Sequence, residues 1–149
     1  MNFTTYGDFD ARARASFARQ PAMALLGAEI EKMAAGEVHL AMPYDARFTQ
    51  QHGFIHAGFI TTVLDTAAGI AAFTLMPEDA GVLTIELKTS LMAPARGEQF
   101  RFEGRVLKPG RNVIFTEAVA FAEHGGALRE IARLSASMMV VRGRDDVKG

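Results

Sequence analysis

Apolar and polar positions change their period along the chain, and the changes divide it into elements. Asp10 to Arg19 has helical spacing ahead of Pro21, which predicts a short helix stopped by that proline. Ala28 to Ala34 and Glu37 to Met42 read as the arms of a hairpin turning near Gly36 and closed by Pro43. Tyr44 to His56 keeps no period and contains Gly53, which marks a loop. From about Ala57 to Leu75 the spacing is helical and almost wholly apolar, until Pro77, Glu78 and Asp79 end it. Beyond them the period falls to two. Leu83, Ile85, Leu87 and Leu91 alternate with Thr84, Glu86, Lys88 and Ser90, while Phe100, Phe102 and Val106 alternate with Gln99, Arg101, Glu103 and Arg105. Both runs are expected to be half-buried strands. A third, Asn112 to Ala122, sets Val113, Phe115, Val119 and Phe121 on one side, with a Pro109-Gly110 turn before it. A fourth runs from Leu128 to Val141, after the His124-Gly125-Gly126 turn. Strands joined by short connections are expected to pair antiparallel with one another, and the long apolar helix is available to cover their inner face. The predicted class is therefore α+β, a sheet wrapped around one long helix.

Composition narrows the function. At 149 residues, with 49% hydrophobic and 22% charged content, the chain reads as a single domain spanning 1–149. Its N-terminal helix (about 10–19) and polar C-terminal tail (about 142–149) flank the main pattern, and no internal repeat or linker divides it. A net charge of −1 leaves no basic excess for a nucleic-acid backbone. The absence of cysteine excludes a thiol nucleophile, a disulfide framework and thiolate metal ligation. The N-terminus has neither a basic start nor an apolar core of the kind a secretory signal carries, so a cytoplasmic location is expected. The apolar window from Gly58 to Met76 contains Asp65 and is broken by Gly69, and a buried helix accounts for it better than a membrane span.

Between Phe48 and Pro77 there is no Lys, Arg or Glu, and Asp65 is the one fixed charge in the run. Burying a carboxylate among small apolar neighbours is costly. Either Asp65 is held by a hydroxyl, a backbone group or a distant base, or it is a general base or nucleophile whose ionisation is tuned by desolvation. At the start of the same helix, Ala57 and Gly58 offer amide N–H groups without intrahelical acceptors, at the positive end of the helix dipole, where an oxyanion is stabilised. Eight residues separate Ala57 from Asp65, roughly 12 Å along one helix. The two cannot grip the same carbonyl. If both act on one substrate, they come from two copies of the helix running antiparallel across a two-fold axis.

Gln50-Gln51-His52-Gly53-Phe54-Ile55-His56-Ala57-Gly58, with Asp65 after it, the hairpin before it and the strands behind it, resembles the hotdog thioesterases of the phenylacetic-acid-degradation (PaaI-like) type. The likeness covers about Phe17 to Val141. It implies the hotdog fold and hydrolysis of an acyl-CoA or aryl-acetyl-CoA thioester at a dimer interface, with dimers commonly paired into tetramers and no cofactor. Residue by residue, it makes Asp65 the base or nucleophile and the Ala57 N–H the oxyanion donor. His56 then shapes the turn, and Thr84 assists the attacking water. The family's Asn, six residues before the motif His, corresponds here to Gln50, and Gln51 or His52 is an alternative for that role. Ala57 replaces the first Gly of the family's His-Gly-Gly, which leaves the backbone donor in place.

Phe54 and Phe59, beside the motif, are the expected pocket walls together with Gly58. Lys108 and Arg111 flank a turn that either meets the phosphates of coenzyme A or is a solvated hairpin. His52 and His56 are spaced like helical zinc ligands, but they precede the helix and lack a third ligand, so no metal is expected. No Gly-x-Ser-x-Gly elbow, Walker sequence or dinucleotide fingerprint is present. Two rival readings share the fold: an acyl-CoA-binding module without turnover, and a hotdog hydratase or dehydratase using His52 with Asp65.

Overall fold

The computed structural model describes residues 1–149. Three α-helices, α1 (Phe9–Ala18), α2 (Pro21–Leu26) and α3 (Ala57–Phe73), accompany six strands. The strands are β1 (Glu29–Ala34), β2 (Glu37–Pro43), β3 (Ala80–Leu91), β4 (Gln99–Lys108), β5 (Val113–His124) and β6 (Ala127–Arg142). They form one antiparallel sheet in the order β1-β2-β4-β5-β6-β3, and α3 packs across one face of it, against β2 to β6. No helix is long and apolar enough to cross a membrane.

Pro21 opens α2 instead of merely stopping α1. Its missing N–H costs nothing at a first helical position, and Gly27, in the left-handed region, ends the turn two hydrogen bonds later. The β1–β2 hairpin turns at Ala35–Gly36, where Gly36 takes φ 76°. Between β5 and β6, Gly125 and Gly126 both have positive φ, as a two-residue hairpin turn requires.

Sequence order misleads in one place. β3 does not pair with β4; it pairs along its length with β6, and β2 meets β4 instead. The reason lies in α3, whose 17 residues span about 25 Å and carry the chain over the sheet to the opposite edge before β3 begins. β3 is therefore an edge strand. Leu83, Ile85, Leu87 and Leu91 are 47%, 50%, 40% and 56% exposed in the single chain, where the alternation predicted a covered side.

On β5 the four bulky residues share one side, as the spacing predicts, and that side faces outward. Val113, Phe115, Val119 and Phe121 lie on the outer face, and the buried side is Ile114, Thr116, Ala118, Ala120 and Ala122. Small residues are needed there because α3 sits directly on the sheet. A Cβ added to Gly104 would stand 2.3 Å from the Ala67 carbonyl oxygen and 2.8 Å from the Ala68 nitrogen, both helix backbone atoms. Gly104→Ala is expected to lower stability by about 2–3 kcal/mol through overpacking, measured as a shift in the chemical-denaturation midpoint. A midpoint unchanged from wild type would show that the helix has room to move.

The C-terminal end of α3 is held by α1. The Arg12 guanidinium donates to the Met76 and Pro77 carbonyls at 3.1 and 3.0 Å and stacks over Phe73. The Thr74 hydroxyl, fully buried, accepts the Gly36 N–H at 2.8 Å and donates to the Ala71 carbonyl. The C-terminal end of the helix is thus fixed by its own side chains and its neighbours.

Candidate active site

The loop entering α3 is built by hydrogen bonds between its ends. Gln50 N–H donates to the Phe54 carbonyl and His56 N–H to the Phe48 carbonyl, both at 2.9 Å, closing the 50–56 turn. His56 then caps the helix: its Nδ1 accepts the Gly58 N–H at 3.0 Å, and its carbonyl accepts from Phe59 and Ile60. With Nδ1 accepting, the neutral ring carries its proton on Nε2. Of the two expected oxyanion donors, Gly58 is therefore committed to its own cap. The Ala57 N–H has no acceptor in the chain.

Ala57 opens into a cavity of about 540 Å³. Its walls are apolar: Phe54, Ile55 and Ile60 on the loop and helix side, Leu91 to Ala95 after β3, and Ile131 and Ala132 from β6. Gln50 and His56 supply the polar lining. The 92–95 segment is pinned there by hydrogen bonds from Met92 and Ala93 to the Ile131 carbonyl and from Ile55 N–H to the Ala95 carbonyl. Gln50 accepts the His52 N–H through its side-chain oxygen, which leaves its amide NH₂ without a protein acceptor. Gln51 and His52 are exposed on the turn and do not line the cavity. Phe59, expected as a wall, packs edge-to-face on Phe48 at 5.0 Å and, like Gly58, is not among the lining residues.

Asp65 lies elsewhere, in a second hollow of about 200 Å³ shared with Ser16, Gln20, Thr66, Gly69 and Thr84. The Thr84 hydroxyl donates to Asp65 Oδ1 at 2.8 Å, directly before a register shift in the β3–β6 pairing between Thr84 and Glu86. Burial raises the Asp65 carboxyl above its ordinary range, while the Thr84 hydrogen bond works in the opposite direction by favouring the ionised form. No cation is paired with it. Thr66 donates to the Gln20 side-chain oxygen at 3.1 Å, which ties the start of α2 to this hollow.

Residues 52–128 match the model of the thioesterase superfamily. The chain belongs to that superfamily. A thioesterase family protein from Silicibacter pomeroyi superposes with a TM-score of 0.90 at 50% identity, covering 91% of this chain and 99% of that one. The proofreading thioesterase EntH of Klebsiella pneumoniae is 30% identical over 103 residues, 69% of this chain and 75% of that protein. The PaaI protein of the E. coli phenylacetic acid degradation operon shares the fold, with a TM-score of 0.82 at 15% identity over 91% of this chain and 94% of that one. The chain spans about half, 54%, of the length of the esterase-named relative from Halobacterium salinarum. These likenesses place the thioesterase-superfamily chain in the hotdog fold and support a hydrolase.

Other expected site residues fall apart from this centre. Lys108 and Arg111 flank the β4–β5 turn, which faces Leu75, Met76 and Pro77 at the C-terminal end of α3, away from the Ala57 cavity. His52 and His56 do not converge with acidic side chains into a group able to hold an ion. Sequence reasoning passed over Leu91 to Ala95, although an apolar Met92-Ala93-Pro94-Ala95 segment between two strands is unusual for a solvated connection and was the available signal.

Proposed function

We propose that this chain hydrolyses the thioester bond of an acyl-CoA, with Asp65 of one subunit acting on a carbonyl held by the Ala57 N–H of its partner. The observation that carries the reading is the separation of two complementary half-sites on one helix. A residue with an amide donor lacking an acceptor lines an apolar cavity, and a carboxylate of raised pKa sits in another hollow two turns further along. The apolar cavity suits an acyl or aryl-acetyl group. In one route Asp65 takes a proton from water as the water oxygen adds to the carbonyl carbon; the C–S bond then breaks and the leaving thiolate takes up the proton. In the other, the carboxylate attacks directly, expelling the thiolate and leaving an anhydride that water opens.

Pairing of two β3 edges across a two-fold axis supplies the partner. It extends the sheet through an edge strand that is long and apolar, and it brings together the helix faces carrying Gly58, Thr61, Thr62, Asp65 and Thr66, which the single chain leaves partly open. A second contact through the outer-face residues Leu107, Phe115 and Met139, all exposed, would make a dimer of dimers. A cytoplasmic location would give the enzyme access to CoA thioesters formed there.

The test is complementation. Asp65→Asn chains and Ala57→Pro chains, the latter lacking the amide hydrogen, are each expected to be inactive on acyl-CoA in a thiol-release assay. Unfolded and refolded together in equal amounts, half of the dimers are mixed and each mixed dimer has one intact site, so about a quarter of the wild-type rate returns. Mixtures as inactive as their components would refute the two-chain site, and wild-type protein that binds acyl-CoA without releasing thiol would refute hydrolysis.

A further inference from the structure

The Ala57 cavity has one uncommitted cation at its rim, in a place the sequence did not mark. Arg96 follows directly on the lining residue Ala95, and its guanidinium lies over the ring of Phe54, another lining residue, with 5.0 Å between the guanidinium carbon and the ring centroid. Its backbone is set by the turn in which Arg96 N–H donates to the Pro94 carbonyl at 2.9 Å. The side chain is exposed and makes no hydrogen bond or ion pair.

The neighbouring charged side chains make other contacts. Arg47, in the segment between β2 and α3, is bound to Asp45 by its guanidinium. Glu98 lies against His124, and Glu123 receives Arg101. No carboxylate is paired with Arg96, and the stacking on Phe54 holds the guanidinium in place without using its N–H donors. A planar guanidinium with free donors is suited to a phosphate group.

We infer that Arg96 is an anchor for a phosphate of the thioester's carrier, fixing the end of the substrate that stays outside the cavity while the acyl group occupies the apolar interior. The inference rests on the thioester reading above. The reacting carbonyl sits at Ala57, and a carrier arm leaving the cavity past Phe54 meets Arg96. The phosphate can belong to free coenzyme A or to the phosphopantetheine arm of a carrier protein. Both present the same chemistry to the guanidinium.

Binding of thioethers, which cannot be hydrolysed, tests this without requiring turnover. Affinities of the full-length protein and of Arg96→Gln would be measured by calorimetry for S-hexyl-CoA, S-hexyl-4′-phosphopantetheine and S-hexylpantetheine. Arg96→Gln is expected to weaken S-hexyl-CoA about tenfold, the size of one charge-assisted contact, and to leave S-hexylpantetheine unchanged. Arg96→Lys should recover part of the loss, and added salt should weaken the wild type alone. An equal loss with S-hexyl-4′-phosphopantetheine assigns the contact to the phosphate shared by both carriers, and its absence there assigns it to the nucleotide of coenzyme A. Unchanged affinity for S-hexyl-CoA, or an equal loss for the phosphate-free ligand, would overturn the inference. Thioester hydrolysis that persists in Arg96→Gln would leave the catalytic reading intact in either case.

Discussion

Replacing Asp65 with Asn is expected to reduce acyl-CoA hydrolysis by about a thousandfold or more, the loss typical of removing a general base or nucleophile. The fold should survive. The amide keeps the size of the carboxyl group and can still accept the Thr84 hydroxyl hydrogen, so the β3–α3 contact is retained. Stability should even rise at neutral pH. Because burial raises the folded-state pKa, whatever stability the carboxyl contributes is complete below the ordinary aspartate value and is lost as pH climbs through the raised one. Above that point the chain carries a partly desolvated charge, which Asn removes. Turnover has the opposite dependence, since only the ionised group can attack or take a proton. The acid limb of the kcat profile is therefore expected above the ordinary aspartate range in the wild type. Circular dichroism melts and thiol-release rates across pH 4 to 8 check both halves. A variant of wild-type rate would sink the assignment of Asp65, and a variant that unfolds would show the carboxylate to be structural.

Which parts of this arrangement could be read from the chain depended on the range of the interactions that decide them. The long helix, the first hairpin and the boundaries of β4 to β6 follow from local periodicity and turn residues, and they stand where the pattern put them, to within a few residues. Asp65 was conspicuous because a lone charge in an apolar helix needs no partner to be noticed. What periodicity left open was which face is covered. On β5 the spacing set the bulky side chains on one side but not which way that side faces; the alanines point inward because α3 lies as close to the sheet as Gly104 requires. On β3 the exposed leucines belong to an edge whose neighbour in the sheet was chosen by the reach of a 17-residue helix. The same long-range geometry separated Lys108 and Arg111 from the Ala57 cavity and brought Leu91 to Ala95 beside it. The choice among Gln50, Gln51 and His52 as cavity residues turned on a single tight turn, in which only Gln50 faces inward.

The Ala57→Pro substitution probes a backbone atom, and local geometry makes it unusually clean. Ala57 is the first residue of α3, where proline is favoured because the N–H there makes no intrahelical bond and the ring's fixed φ suits a helix start. Proline also restricts the residue before it to extended conformations, and His56 already has φ −58° and ψ 136°. Its cap to Gly58 and the carbonyl that receives Phe59 and Ile60 are then undisturbed. The helix should therefore form with the same stability, while the one amide hydrogen facing the cavity is gone. If that hydrogen polarises the thioester carbonyl, kcat should fall about 100- to 1,000-fold, as for removal of an oxyanion-hole donor. Affinity for a non-hydrolysable acyl-CoA analogue should change far less, because the developing oxyanion exists only in the transition state. Ala57→Gly is the control, since it keeps the hydrogen and should keep most of the rate. A proline variant with unimpaired kcat would mean that another donor serves the carbonyl, and the Gln50 amide NH₂, which lacks a protein acceptor in the same cavity, is then the group to test next.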